Sequence, residues 1–107
     1  MKKVNILGVD YEIRFSKEQD DPRLKECDGY FDSTTQLIVV VDPDYDVMNK
    51  HDIEAYKRKV LRHEINHAFL YESGLDMREL SEETVVDWLA IQFSKIAKAY
   101  QIAECLD

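Results

Sequence analysis

Cysteine, proline and glycine are all scarce in this chain of 107 residues, which holds two, two and three of them. Cys27 and Cys105 lie far apart and form no CxxC pair, so they read as free thiols of a reducing compartment rather than as a disulfide. Gly8, Pro22, Gly29, Pro43 and Gly74 all fall between runs of regular pattern, where they act as punctuation. No apolar run approaches the roughly 20 residues that a membrane-spanning helix needs. The opening Met1-Lys2-Lys3 is followed within a few positions by further charges, which is not the pattern of a signal peptide. Basic residues are in deficit, 14 against 22 acidic, for a net charge of −8. An acidic surface repels phosphate backbones and anionic headgroups, so neither a nucleic-acid nor a membrane partner is expected. No repeat or low-complexity tract divides the chain, which is expected to be one cytoplasmic domain over 1–107, its oligomeric state left open.

The first half of the sequence has the character of strands and the second that of helices. "KVNIL" and "DYEIRF" favour extended chain and are joined through Gly8, which suits a hairpin turn. "SKEQDDPRLKECDG" is charged and turn-rich and reads as a connection with room for a helical turn. A second hairpin is expected from "YFD", a turn at Ser33-Thr34-Thr35, and "QLIVVVD". The run Leu37 to Val41 is apolar throughout, as in a central strand covered on both faces, and Asp42-Pro43 ends it. From Asp52 to Ser73 the spacing turns helical, with Leu61, Ile65, Ala68 and Phe69 on one face and Gly74 as the stop. Ser81 is placed to cap a second helix that runs to about Glu104, with an apolar stripe of Val85, Val86, Leu89, Phe93, Ile96 and Tyr100. The fold class expected is therefore α+β, a small sheet of about four strands followed by two helices.

The first helix carries His63-Glu64-Ile65-Asn66-His67. Four residues turn an α-helix by about 400°, so the two imidazoles lie about 40° apart in projection, one turn apart along the axis. In that position they can share one metal ion, and Glu64 on the adjoining side can reach a water on it without ligating it. A zinc site normally takes a third protein ligand plus water. Leu70 and Ser73 stand where a third histidine motif would put glycine and histidine, and His51 lies twelve residues before His63, too far along the axis. Acidic residues are the better candidates: Asp76, Glu79, Glu82 and Glu83 surround the loop and the start of the second helix. Glu83 and Asp87 form an i, i+4 carboxylate pair, in which one can ligate while the other accepts the outer N–H of a ligand histidine. Spacing favours Glu83; the helical wheel, which puts Glu82 inside the apolar arc, leaves Glu82 open.

These residues resemble a family. The HExxH at 63–67 followed by Glu83-Thr84-Val85-Val86-Asp87 is similar to the gluzincin arrangement, and the "DWLAIQF" that follows resembles metallopeptidases of the ImmA/IrrE type and the small zinc-peptidase-like proteins carried by prophages. The likeness spans about residues 30 to 100, and only the HExxH is sharply specific. It implies a minimal zincin-like domain that hydrolyses a peptide or protein substrate, with Zn2+ held by His63, His67 and Glu83 and with Glu64 as general base. Tyr71 or Tyr45 would then be available to donate to the developing oxyanion, while Trp88 is expected in the core. Two other readings compete with this one: a zinc-binding module that does not turn over, and a helical adaptor whose histidines are incidental.

Overall fold

The computed structural model describes residues 2–43 and 50–107, the side chains of Lys50 and His51 excepted. Two hairpins build the sheet. Strands β1 (Lys2–Ile6) and β2 (Val9–Ser16) pair antiparallel, Lys2 opposite Ile13 and Ile6 opposite Val9. Their turn places Leu7 and Gly8 at φ 52° and 96°, the left-handed pair whose twist matches that of the flanking strands. Strands β3 (Gly29–Asp32) and β4 (Leu37–Val41) form the second hairpin, with the Asp32 carboxylate accepting from the Thr34 N–H in the turn. β4 then lies parallel to β2, Glu12 opposite Leu37 and Ser16 opposite Val41, which gives the order β1-β2-β4-β3. The apolar strand is central, as its composition predicts, and β3 is an edge.

Alternation along the strands decides what covers each face. Ile38 and Val40 join Val4, Ile6, Tyr11 and Ile13 in the main core, while Val39 and Val41 point the other way to meet Leu24. Leu24 arrives on a short 3-10 turn (Pro22–Lys25) whose entry is capped by the Asp21 carboxylate. The turn-rich connection therefore closes the back of the sheet.

Helix α1 (Lys50–Glu72) closes the front. Leu61, Ile65, Ala68 and Phe69 are all buried against the sheet, the face that periodicity selects. The helix ends at Gly74 (φ 72°), where Gly74 N–H reaches the Tyr71 carbonyl and Leu75 N–H the Leu70 carbonyl, satisfying carbonyls left open by the last turn. After a second 3-10 turn (Met77–Glu79), Ser81 caps helix α2 (Glu82–Ile102) by accepting from the Thr84 N–H at 3.2 Å. No helix among the described residues is long and apolar enough to cross a membrane.

Helix α2 differs from expectation in which part of it is buried. Of its stripe only Ile96 is fully buried, joined by Ala99 and Ala103, whereas Val86 is 55%, Leu89 43% and Phe93 63% exposed. The cause lies at the other end. Lys2 Nζ donates to the Ala103 carbonyl and Arg62 Nη1 to that of Cys105, each at 2.7 Å, and Arg58 donates to that of Asp107. Three cations thus hold carbonyls at the helix C-terminus, where the dipole favours positive charge, and pull the last turns onto β1 and α1. Cys105 is buried there, and burial pushes its thiol up to about 11. Among the described residues the first three turns are held by one side-chain hydrogen bond, from Trp88 to Ser73 just past the end of α1.

Gly29 sets how closely β3 approaches α1. A Cβ there would stand 2.7 Å from Val60 Cγ1 and 2.9 Å from the Val39 carbonyl oxygen. The second neighbour is backbone and cannot swing aside. Gly29→Ala is expected to cost about 1–3 kcal/mol, the usual penalty of overpacking, read as a lower urea midpoint with unchanged slope. A wild-type midpoint would show that β3 does not rest on α1 at this position.

Candidate metal centre

His63, Glu64 and His67 all come from the middle of α1, and the helix sorts them by burial. His63 and His67 are exposed, while Glu64, one residue round, is only 6% exposed and is the one charged side chain among the described residues that is buried. The histidine Nε2 atoms are 3.2 Å apart and their rings meet edge to face with centroids at 4.8 Å. Zn–N bonds of about 2.0–2.1 Å at tetrahedral angles require about 3.3 Å between two ligand nitrogens. The pair therefore has the separation of two imidazoles on one ion. Without metal the same contact is a hydrogen bond, with one ring donating to the other.

The edge strand supplies the wall of the site. Phe31 lies parallel to the His67 ring at 5.9 Å, 3° between planes, and Tyr71 tilts against the same Phe31 at 6.1 Å. His67 is exposed as a residue but its ring is partly desolvated beside Phe31; that desolvation, and then the neighbouring His63, lower its pKa from the ordinary imidazole value, which favours the neutral form that ligates metal. Burial pushes Glu64 above the ordinary carboxylate range, and the only opposing influence is His63. Glu64 has no hydrogen-bond or ion-pair partner among the described residues. It faces a cavity of about 260 Å³ together with Cys27, Asp28, Gly29, Tyr56, Lys59, Val60 and His63. The Tyr56 hydroxyl donates to the Asp28 carboxylate across this cavity, and that bond, with burial, pushes the phenol up to about 12.

The third ligand is not assembled. Among the described residues no group of three or more His, Cys, Asp or Glu is placed to hold an ion. The pairing of α2 with α1 explains why. Trp88 Nε1–H donates to Ser73 Oγ at 3.0 Å, just past the end of α1, and the Tyr100 hydroxyl donates to the Asn66 side chain. Glu83 is five residues beyond Trp88, about 7.5 Å of helix, and His67 is six residues back from Ser73, about 9 Å in the opposite sense. Glu82, Glu83 and Asp87 are all exposed, Asp76 pairs with Arg78 at 3.0 Å, and Glu79 is exposed. Trp88 is half-buried beside Ser73 rather than central. Tyr45 and the His51 side chain lie outside the described residues.

Sequence reasoning passed over Phe31, Gly29 and the Tyr56–Asp28 bond. Tyr56, Lys59, Val60 and His63 recur at i, i+3, i+4 and i+7, which is the signal that marks them as one face of α1. The partner strand could not be read from that spacing. Compared with known proteins, the chain matches no family model, no curated protein and no solved structure.

Burial of Glu64 fixes a sign. Its folded-state pKa is raised, so folding favours the protonated acid: stability is highest below the ordinary glutamate pKa and is lost as pH rises through the raised value. In metal-free protein, Glu64→Gln is therefore expected to be more stable than wild type at pH 7, with the difference vanishing as pH falls towards 4. A Glu64→Gln protein less stable than wild type at pH 7 would reveal a partner for the carboxylate that burial alone does not provide.

Proposed function

We propose that this chain is a small zinc-dependent hydrolase of peptide bonds, with His63 and His67 holding the ion, Glu83 as the third ligand and Glu64 as general base. The observation that carries the reading is a 3.2 Å histidine pair one residue from a buried, partnerless carboxylate. A bound zinc ion supplies a water of much lowered pKa and a Lewis acid for the carbonyl. Glu64 takes the proton of the attacking water and returns it to the leaving amine. Burial raises its pKa, which makes the carboxylate a stronger base than an exposed glutamate. Burial of the carboxylate keeps competing water away from it.

The edge position of β3 favours an extended peptide over a compact substrate. Its outer backbone groups are unpaired, and the strand passes the His67 ring through Phe31, so a peptide strand added there would run past the histidines. Glu83 stands about 16 Å of helix away from the level of the pair, so it reaches the ion only if the first turns of α2 shift along the axis as well as towards α1.

The unassembled third ligand favours a second reading, a metal-binding module without turnover. Two measurements separate the readings. Untagged protein is expected to hold about one equivalent of zinc by elemental analysis. Zinc should be lost in the double variant His63→Ala, His67→Ala and retained in Glu64→Gln. Cleavage of an unfolded protein substrate should stop with chelator and fall by about 10²–10⁴-fold in Glu64→Gln. Full zinc occupancy in the double variant would remove the metal centre from the proposal, and zinc without chelator-sensitive cleavage would leave the second reading standing.

A further inference from the structure

The first half of α2 carries more exposed apolar surface than its place in the fold explains. Val86, Ala90, Phe93 and Ala97 follow one another at i, i+4, i+7 and i+11 and share one face of the helix. Val86 and Phe93 are more than half exposed on it. This stripe lies next to the one that lines the cavity beside α1 with Val85, Trp88 and Leu89, and the two share Phe93.

The whole chain shows the same surplus. A folded monomer of 12.6 kDa is expected to expose about 6,200 Å². This chain exposes 7,006 Å², more than that scale gives. Its radius of gyration is 14.6 Å, where about 13 Å is expected for this length.

Charge along α2 selects the occupant. Glu82, Glu83 and Asp87 are all in the first two turns, Lys95 and Lys98 are in the second half, and neither half contains a charge of the opposite sign. A helix so divided is repelled by a parallel copy of itself and matched by an antiparallel one, in which the two helix dipoles also oppose. We propose that the α2 stripe is a self-association face that pairs antiparallel with α2 of a second copy, about a two-fold axis between Ile91 and Gln92. In that register Phe93 lies opposite Ala90 and Val86 opposite Ala97, large against small, so the helices approach closely. Lys98 of each copy falls between Glu83 and Asp87 of the other, on the flank next to the stripe. The contact is isologous, so it closes at two chains.

The proposal does not rest on hydrolysis, although it engages Glu83, the third-ligand candidate, and it is tested by mass in solution. Light scattering after size exclusion, from micromolar to submillimolar protein, is expected to move from one chain towards twice 12.6 kDa. Phe93→Lys and Val86→Glu should each hold the protein at one chain with an unchanged far-UV spectrum, because both side chains are exposed in the single chain. Lys98→Glu should weaken association by a few-fold to about tenfold, since the symmetry counts each lost surface pair twice. Adding both Glu83→Lys and Asp87→Lys to Lys98→Glu should restore it. A wild-type chain that stays single throughout, or a dimer indifferent to Phe93→Lys and Val86→Glu, would overturn the proposal, and failure of the full charge reversal at 83, 87 and 98 to restore association would overturn the antiparallel register.

Discussion

The contact between α1 and the edge strand β3 is the constraint on which the rest of the molecule depends. One helix has to fill the front of the sheet with Leu61, Ile65, Ala68 and Phe69 and at the same time display His63 and His67. It can do both only if β3 lies close enough to shelter Glu64 between the two faces. Gly29 permits that approach, with Val60 and Val39 occupying the space a side chain would need. Two residues on, the alternation of the strand turns Phe31 towards the helix, where its ring backs His67. The catalytic candidates thus take their environment from a strand more than thirty residues away in sequence.

That environment is set by burial more than by charge. An acidic chain with a net charge of −8 would be expected to surround a carboxylate with repulsion, yet Glu64 is governed by desolvation, with His63 as its only charged influence. Placing an ionisable group under a strand edge with no hydrogen-bond partner costs stability and gains nothing for folding. A buried carboxylate of this kind marks a candidate functional site. His67 follows the same logic in reverse, since partial desolvation and a neighbouring imidazole favour its neutral form and keep its lone pair available.

Helix α2 divides the labour differently. Its last turns are anchored by cations from β1 and α1 on the carbonyls of Ala103, Cys105 and Asp107, and its small buried residues, Ala99 and Ala103, allow close packing there. Its first turns carry the acidic residues and the exposed apolar stripe, and Trp88 ties them to Ser73 just past the end of α1. The half of the helix with the fewest anchoring contacts is also the half that holds Glu83, the third-ligand candidate.

Local order was legible in the sequence because its causes are local. The 400° turn between His63 and His67, the Gly74 stop, the Ser81 cap, the Leu7–Gly8 hairpin and the double-faced burial of Leu37 to Val41 each follow from spacing or side-chain chemistry within a few residues. Periodicity also found the buried face of α1, which has one sheet to pack on. It failed for α2, whose apolar residues cover more than one face of the helix, so no period says which of them meets α1. Only the tertiary structure decided that, through the level at which Trp88 meets Ser73 and Tyr100 meets Asn66 and through the anchoring of the chain's end. Those contacts join residues 15 to 101 positions apart, and the distance of Glu83 from the histidines is their consequence.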